Sequence, residues 1–321
     1  MTRILDGVVR TMSASPGPRA GTAWSHLAAV LRKERVSEAI TGYLFVLPFL
    51  AAVGTFVFLA AVYAFYLSFH KYDLFTPPEF VGLANYRRLL TDRNFRIALR
   101  NVAVYTAGVV PTQTIVAIAL AVLANQKLRL RGFFRSAYYV PCITSSVASS
   151  LIFMWLYYKQ GIINYILSLL GLPSNIDWLG NPSTALPAIM TLVVWTTSAY
   201  FMVVFLAALQ DIPTSVSEAA KIDGATSWQS FRYVTLPLLR PSIFLVVVLG
   251  TIGCMQVFDQ VYIMTRGGPL KSTMSIVYLV YTEAFGDLRF GYGAAMAFAL
   301  FAVIFVLTLI QRKFLDVRIE Y

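Results

Sequence analysis

The sequence predicts an all-α membrane protein with six transmembrane helices, and three observations carry this prediction. Of the 321 residues, 58% are hydrophobic and only 13% are charged, whereas about 25% are charged in an average soluble protein. The mean hydropathy is +0.68. Six stretches without a charged residue approach or exceed the roughly 20 residues that a helix needs to cross the hydrocarbon core. A soluble chain of this composition would expose large apolar patches and aggregate, so a soluble fold is excluded.

The six predicted spans follow from the positions of the charged residues. They cover residues 39–69, 101–126, 136–158, 178–210, 241–258 and 290–311. The fourth is longer than a span needs, so we expect its helix to begin near Leu186. The fifth is long enough only if Asp259 lies inside the membrane or at its rim. A seventh apolar run, 272–282, is too short to cross and predicts a re-entrant or interfacial segment.

The distribution of Lys and Arg predicts the orientation. With the N-terminus in the cytoplasm, the cytoplasmic segments hold 16 of the 26 basic residues, in the direction that the positive-inside rule favours. The bias is moderate, because the external loop before the second span also carries several basic residues. We therefore expect a cytoplasmic, partly disordered tail at 1–38, a six-span domain at 39–314 and a cytoplasmic tail at 315–321.

The sequence contains no recognisable catalytic or metal centre. The cysteines, Cys142 and Cys254, lie in predicted spans, and the histidines, His26 and His70, lie far apart. It has no Ser/His/Asp set, zinc motif or Walker A sequence. The net charge of +11 is not concentrated in a basic, polar stretch of the kind that binds nucleic acid. We therefore expect no catalytic residue, no metal and no nucleic-acid partner.

The connection between the fourth and fifth spans, residues 211–240, carries two helix-start signals. Ser215 and Glu218 fit a capping box, in which the hydroxyl accepts from the backbone N–H of the third helical residue and the carboxylate reaches back. Thr226 and Gln229 fit a second capping box. Two short helices are therefore predicted in this connection.

The same connection also carries two helix-stop signals. Gly224 allows the left-handed conformation that ends a helix, and Pro237 prevents continuation into a regular helix. The predicted result is a stiff helix–turn–helix between two spans. Local chemistry alone is equally compatible with a merely ordered loop, in which Glu218 is a cap and Gly224 a helix stop.

The residue pattern of this connection resembles a known motif. It reads Glu-Ala-Ala-Lys-Ile-Asp-Gly-Ala at 218–225, followed by Phe231 and by Val-Thr-Leu-Pro at 234–237. This resembles the EAA loop of permease subunits of binding-protein-dependent ABC importers, whose pattern is E-A-A, three residues, G, nine residues, I, one residue, L-P. The spacing matches throughout, with Val234 in place of the isoleucine. We call residues 211–240 the EAA loop.

Three further segments resemble the carbohydrate, or maltose-type, branch of that family. Residues 258–269 end in Thr-Arg-Gly-Gly-Pro and resemble its T-x-GGP segment, with Arg266 where many relatives carry a third glycine. Residues 80–86 resemble its F-x-G-L-x-N-Y segment. The third resemblance is Arg131-Gly-x-x-x-Arg135 leading into Pro141. The resemblance runs from about residue 42 to 314 and implies the six-span permease fold and a sugar substrate.

The resemblance implies an importer in a bacterial or archaeal cell membrane, with both termini cytoplasmic. This chain and a second, homologous permease would form the pathway in the lipid bilayer. Two ATP-binding cassette subunits would bind ATP and Mg, so that this chain carries no cofactor, and an external solute-binding protein would deliver substrate. The residues implied in coupling to the ATPase are Glu218, Ala219, Ala220, Asp223, Gly224, Leu236 and Pro237. The two alanines would allow close approach, while Glu218 would pair with a basic residue there or only cap its helix.

Polar and aromatic residues near mid-membrane predict a substrate path, because polar groups in lipid are costly and are usually functional. Thr197 lies near the middle of the fourth span, and Gln256, Asp259 and Tyr262 recur along the fifth. The predicted path residues are Trp195, Thr197, Tyr200, Thr251, Gln256 and Asp259. The alternative for the threonines is a bond to their own helix backbone, and for Asp259 an anchor at the membrane interface.

Two other functional classes are alternatives to the importer. A secondary transporter would carry its own coupling site, for which Asp259 is a candidate without an evident partner. A membrane-embedded enzyme would need a nucleophile or metal set, which the positions of the cysteines and histidines do not supply. Within the importer class, a glycerol-3-phosphate-like solute is the alternative to a sugar, and the sequence does not identify which sugar is carried.

Overall fold

The computed structural model describes residues 41–126 and 131–315, which form a predominantly helical protein. Five helices are long and apolar enough to cross a membrane, and a bent helix pair forms a sixth candidate. The five are Thr41–Ser68, Arg93–Asn125, Ala185–Asp211, Arg240–Met264 and Phe290–Phe314. The predicted six-span fold class is therefore confirmed. The predicted N-terminal tail and residues 316–321 of the predicted C-terminal tail lie outside the described residues.

The chain divides into two compact units between Tyr63 and Ala64, inside the first helix. The described part of the first unit, residues 41–63, is helical and includes a π-helical turn at Gly54–Leu59. No residue in the most apolar window of the first span is buried within the chain. Its apolar side chains are therefore available to lipid.

The third span, predicted at 136–158, is bent. A helix at Arg131–Ile143 is followed by a second helix at Ser146–Leu156, and the two are bent by 109° at the break between them. Pro141 lies in the last turn of the first helix, and the residues of the break include Thr144, which donates to the carbonyl of Val140. The predicted third span therefore corresponds to a bent helix pair, and charge-free length does not reveal such a bend.

The fourth and fifth spans illustrate what charge-free length does predict. The fourth helix begins at Ala185, one residue from the predicted start. The fifth runs from Arg240 to Met255, is interrupted, and resumes as the short helix Asp259–Met264. Asp259 is therefore the first residue of that short helix.

Shorter elements connect the spans. Two antiparallel strands, His70–Lys71 and Glu79–Phe80, follow the first span. Short helices lie at Ala84–Thr91, Ile162–Leu169 and Ile276–Tyr281, the last extended by a π-helical turn at Thr282–Gly286. The apolar helix Ile276–Gly286 is too short to count as a span, as predicted for the run at 272–282.

The second span, Arg93–Asn125, contributes to every hydrophobic cluster described in the larger unit. Its residues enter all three hydrophobic clusters of the core, through Phe95 and Val102, then Val109, then Ala117 and Ala121. Ala117 and Ala121 are completely buried, and small residues let neighbouring helices approach closely. The fourth, fifth and sixth spans are therefore organised around this helix.

Side-chain amides fix the connection between the first and second spans. Asn85, in the segment 80–86, donates to the carbonyls of Ser68 and His70 at 2.9 and 3.0 Å. The hydroxyl of Tyr86 lies 2.8 Å from that of Ser68. Gly82 has a φ of 57°, a conformation that glycine adopts at little cost. These contacts explain why the segment carries Gly, Asn and Tyr at these positions.

Candidate functional site

The EAA loop contains a short helix at Thr214–Ile222 that ends in a tight left-handed turn. Gly224 has a φ of 77°. Its N–H donates to the carbonyl of Lys221 at 3.1 Å, and the N–H of Ala225 donates to that of Ala220 at 3.0 Å. These paired bonds form a Schellman motif, which satisfies carbonyls that the helix end leaves free. The predicted role of Gly224 as a helix stop is confirmed.

The two predicted capping boxes have different outcomes. Thr226 and Gln229 form the predicted box, with bonds of 3.3 Å to the Gln229 N–H and 2.8 Å from the Thr226 N–H. The box at Ser215 was wrong. The first helix begins at Thr214 and is preceded by Pro213, in extended backbone and without a side-chain capping bond. Ser215 is therefore inside the helix, where its hydroxyl cannot act as the N-cap.

Pro237 does not stop the second helix but changes its winding. The helix Ser227–Ser230 continues as a π-helical turn at Phe231–Thr235 and then as a short helical segment, Leu236–Leu238. A π-helical turn is wider than an α-helical one, so the chain can pass the proline ring without its usual clash. The prediction that Pro237 prevents continuation into a regular helix was therefore wrong, because the α-helical segment Leu236–Leu238 contains Pro237.

The residues implied in coupling fall into two groups by exposure. Glu218, Ala219, Asp223 and Gly224 are exposed. Ala220 is buried, with only 8% of its surface exposed. The expectation that both alanines allow close approach to a partner is therefore corrected, since only Ala219 is open to one.

Leu236 and Pro237 lie where the EAA loop joins the membrane core. Leu236 and Phe231 pack against a hydrophobic cluster formed by buried residues of the second, fourth and fifth spans, among them Ala121 and Phe205. Pro237 is partly buried. Phe231 and Leu236 therefore connect the EAA loop to three spans through packed side chains.

Sequence reasoning missed three large apolar side chains that the EAA loop exposes. Ile222 is 86% exposed, Tyr233 is 73% exposed and Trp228 is 69% exposed. The ring of Trp228 lies 5.8 Å from that of Phe231. Exposed apolar clusters commonly mark interaction sites. A signal was present in the sequence, because a connection between spans has no need of large apolar residues.

A cavity of about 270 Å³ lies between the second, fourth and fifth spans. Its polar lining comes from Tyr105, Gln113, Thr197, Gln256, Asp259 and Gln260, and its apolar lining includes Val193, Leu249 and Phe258. The break in the fifth span, between Met255 and Asp259, contributes several of these residues. The structure thus brings Thr197, Gln256 and Asp259, three of the predicted path residues, to one cavity.

Thr197 is held against a glutamine that the sequence analysis did not single out. The Thr197 hydroxyl lies 2.6 Å from Oε1 of Gln113 and 2.7 Å from the carbonyl of Val193. Gln113 is completely buried in the second span. A Cβ at Gly250 would collide with the Gln113 amide nitrogen. Gly250 therefore provides the room that Gln113 occupies.

Two buried polar atoms, in residues that line the cavity, have no hydrogen-bond partner among the described residues. They are the hydroxyl of Tyr105 and the amide nitrogen of Gln113. Leaving a buried polar group unpaired costs about 1–3 kcal/mol. Gln113 was detectable in principle, because a glutamine in the middle of a charge-free stretch is costly in lipid and usually functional.

The other predicted path residues do not line this cavity. Thr251 is buried, and its hydroxyl accepts from Nε2 of Gln311 in the sixth span at 2.7 Å. Tyr200 is 49% exposed and contacts Phe201, and Trp195 is 43% exposed beside Phe153. The spacing of these residues along their helices placed them on suitable helix faces. It does not determine which neighbouring helix each face contacts.

Asp259 is exposed at the cavity and forms no ion pair with any residue in the described ranges. The adjacent Gln260 donates to the hydroxyl of Ser146 at 3.0 Å. This bond joins the short helix after the fifth-span break to the second half of the bent third span. Two interrupted spans therefore meet at one wall of the cavity.

The T-x-GGP segment after the fifth span is fixed to the second span. Asn101 donates to the carbonyls of Lys271 and Met274 at 2.7 and 3.1 Å, and Lys271 donates to the side chain of Asn94 at 2.7 Å. Arg266 has a φ of 48°, a conformation that costs a non-glycine residue roughly 1–2 kcal/mol. This explains why a third glycine would suit the position of Arg266.

A polar cluster lies beside this segment and links the second span to the sixth. Asp92 accepts from the Tyr292 hydroxyl at 2.7 Å and from the backbone of Asn94 and Phe95, and Arg88 lies 4.1 Å above the Tyr292 ring. Partial burial opposes ionisation, but together the hydrogen bonds and the Arg88 charge hold the pKa of Asp92 below its usual value. The carboxylate thus caps the second span and binds the sixth.

Glu283 is buried in the same cluster. Burial raises the pKa of this carboxyl, while the charge of Arg289 at 2.9 Å partly offsets the effect. Arg289 also reaches Asp287 at 3.1 Å. In the described part of the chain, no group of three or more His, Cys, Asp or Glu side chains is arranged to hold a metal ion.

The sequence matches the family model of the binding-protein-dependent transport system inner membrane component over residues 21–320. Among curated relatives, it is 36% identical over 284 residues to the trehalose/maltose transport system permease protein MalF of Thermococcus litoralis, covering 88% of this chain and 95% of that protein. It is 35% identical over 277 residues to the lactose transport system permease protein LacF of Rhizobium radiobacter, covering 85% and 93%.

The fold is similar to that of a chain in the crystal structure of a bacterial ABC transporter that imports the acidic polysaccharide alginate. The TM-score is 0.75 with 20% sequence identity, and the similarity covers 88% of this chain and 99% of that chain. This similarity bears on the fold alone. Together with the family match over almost the whole sequence, it leads to one conclusion: the chain belongs to the family of binding-protein-dependent transport system inner membrane components and is a multi-pass membrane transport subunit.

Proposed function

We propose that this chain is one of two permeases that together form the membrane pathway of an ATP-driven importer for a sugar or oligosaccharide. The observation that carries the proposal is the EAA loop, whose capped helix–turn–helix is exposed at Glu218 and Ala219 and packed against the spans at Leu236. A stiff lever between two spans is useful only if something outside the membrane core moves it.

The force would come from partner subunits that bind ATP and Mg. In this proposal Ile222, Trp228 and Tyr233 dock on the ATPase, and Gly224 fixes the angle between the two short helices. ATP binding then moves the docked loop, and Phe231 and Leu236 transmit the motion to the second, fourth and fifth spans. A floppy loop would absorb the same motion, which is why capping and the Gly224 turn matter.

The cavity is the proposed solute path. Thr197, Gln256 and Asp259 offer donors and acceptors for sugar hydroxyls, and Phe258 supplies apolar surface in the same cavity. Trp195 and Tyr200 are exposed and open to the second permease, which would complete the pathway. Thr251 has a structural role in this proposal, because its hydroxyl is already bonded to Gln311.

The substrate class rests on the relatives. Relatives at 34–36% identity include proteins named for the transport of trehalose/maltose, lactose and sulfoquinovosyl glycerol, which supports a sugar or sugar derivative over a glycerol-3-phosphate-like solute. An external solute-binding protein would deliver it, as in the structure of the alginate importer in complex with its substrate-bound periplasmic protein. Much of the selectivity would then reside in that protein.

Uptake measured with the complete system tests this proposal. The chain is produced together with a second permease, an ATPase and a solute-binding protein from the same organism, and uptake of labelled maltose, trehalose, lactose and glycerol 3-phosphate is followed. We expect ATP-dependent uptake of a sugar that requires the binding protein. Uptake driven by an ion gradient without ATP would instead support a secondary transporter.

The orientation is tested separately by protease protection. We propose that both termini are cytoplasmic, so tags there should survive external protease in intact cells, while a tag between Lys71 and Phe95 should be cleaved. Cleavage of the C-terminal tag in intact cells would overturn the proposed six-span topology.

A further inference from the structure

Among the described residues that line it, the cavity that is proposed to pass the solute carries one carboxylate side chain and no basic side chain. Asp259 supplies the carboxylate, and no Lys, Arg or His is present in this described lining. Asp259 is exposed and has no ion-pair partner in the described part of the chain. Its charge is therefore free to act on whatever enters.

The remaining polar lining is neutral and bifunctional. Gln113, Gln256 and Gln260 each carry an amide that both donates and accepts, and Tyr105 and Thr197 carry hydroxyls that do the same. The Tyr105 hydroxyl and the Gln113 amide nitrogen have no partner within the described residues. A neutral sugar presents hydroxyls that also donate and accept, so it can pair with the exposed amide of Gln256 and can donate to Asp259 in a charge-assisted bond.

An acidic sugar or a phosphate ester meets the opposite situation. Its carboxylate or phosphate can only accept, and proteins recognise such groups with Arg, Lys or arrays of backbone N–H groups. Placing a second negative charge near Asp259 is unfavourable and is not compensated by any cation in the described lining. The fold itself does not impose this preference, because a chain of similar fold belongs to an importer of acidic alginate.

We infer that the cavity selects neutral polyhydroxylated solutes and rejects anionic ones, and that Asp259 is the residue that determines this selection. The inference rests on the proposed function, since it assigns the charge class of the solute that the proposed path admits. It goes beyond a general assignment to sugars because it excludes uronic-acid oligosaccharides and glycerol phosphate on a named physical ground.

The test must bypass the binding protein, which imposes its own selectivity. The complex of both permeases and the ATPase is placed in lipid nanodiscs, and saturation-transfer NMR measures weak binding of four probes: maltose, trehalose, a mannuronate disaccharide and glycerol 3-phosphate. We expect saturation transfer to at least one neutral disaccharide and none above background to the two anions. Competition by unlabelled neutral sugar identifies a shared site.

The decisive variant is Asp259→Asn, which removes the charge and keeps the shape. We expect mannuronate binding to become measurable, with a ratio of mannuronate to neutral disaccharide affinity at least about tenfold above the upper limit found for the wild type, which corresponds to about 1.4 kcal/mol. Glu79→Gln is the matched control, because it makes the same charge change at an exposed acid on the second short strand and should leave the ratio unchanged.

The possible outcomes separate the inference from the function on which it rests. Equal binding of acidic and neutral disaccharides to the wild-type complex, no binding of either, or an unchanged ratio in Asp259→Asn would each overturn the charge selection. If sugar uptake by the complete system is present while one of these results is found, only the inference fails. If sugar uptake is absent, the proposed function fails instead.

Discussion

The EAA loop and the cavity differ in what creates them. The turn of the EAA loop is made by residues close in sequence, since the bonds at Gly224 and the Thr226–Gln229 capping box span no more than five positions. The cavity is made by residues far apart, such as Thr197 and Gln113. The fold of the EAA loop can therefore be specified by local hydrogen bonds, whereas a solute path requires tertiary packing.

The largest expected effect follows from changing the left-handed turn of the EAA loop at Gly224. Gly224→Val should reduce uptake at least tenfold while the protein still inserts, because a β-branched residue at a φ of 77° is strained by roughly 1–2 kcal/mol. A Cβ there meets no atom within 4 Å, so crowding is not the cause. Uptake at matched membrane levels is the measurement.

Gly224→Asn is the control for that change. Asparagine tolerates the left-handed conformation better than other non-glycine residues, so this variant should retain most of the uptake. If Asn and Val impair uptake equally, the backbone conformation of Gly224 is not what matters.

Ile222 tests whether the exposed apolar side chains of the lever dock on a partner. Ile222→Asp should weaken retention of the ATPase on the purified permeases about tenfold, because burial of an isoleucine contributes roughly 1.5–3 kcal/mol. Phe75→Asp is a matched control at an 81% exposed position in the connection after the first span. Equal loss of ATPase in both variants would contradict docking through Ile222.

Gly250 tests the packing that creates the cavity. Gly250→Ala should lower the melting temperature of the solubilised complex, because the added Cβ collides with the Gln113 amide and overpacking typically costs 1–3 kcal/mol. At Gly253 in the same helix a Cβ meets nothing within 4 Å. Gly253→Ala should therefore not destabilise, and equal melting temperatures for the two variants would argue against the Gln113–Gly250 contact.

The smallest expected effect concerns one cavity hydrogen bond. Gln256→Ala should raise the apparent KM for sugar uptake about two- to tenfold, since a lost hydrogen bond is worth about 0.5–1.5 kcal/mol. Tyr200→Ala should leave KM nearly unchanged, because Tyr200 does not line the cavity. The reverse order of effects would move the path to the exposed face of the fourth span.

Charge-free length and local caps were enough to predict the fold class, the start of the fourth span within one residue and the Gly224 turn. Each depends on interactions within a few residues or on transfer into lipid. The Ser215 capping box failed even though its pattern is correct, because Pro213 in extended backbone starts the helix one residue before Ser215. The sequence pattern alone does not distinguish a helix that begins at Thr214 from one that is capped by Ser215.

The bend of the third span and the role of Gln113 were not predictable in the same way. The 109° bend follows a proline, but prolines also occur inside the second span, where Pro111 does not end the helix. Gln113 depends on Gly250, 137 positions away, for its space. One of the predicted residues, Thr251, proved to bond Gln311 in the sixth span, which shows that residue type and period do not identify a neighbour.

The central claim is that the EAA loop and the cavity have separate roles in one transport cycle: the loop couples to the ATPase, and the cavity binds the solute. The most direct test measures binding-protein-stimulated ATP hydrolysis and sugar uptake together, in proteoliposomes containing the complete importer with Gly224→Val or Gln256→Ala. We predict that Gly224→Val loses stimulated hydrolysis and uptake in parallel, whereas Gln256→Ala keeps stimulated hydrolysis and raises only the KM for uptake. Loss of stimulation in Gln256→Ala, or full stimulation with normal uptake in Gly224→Val, would contradict the account.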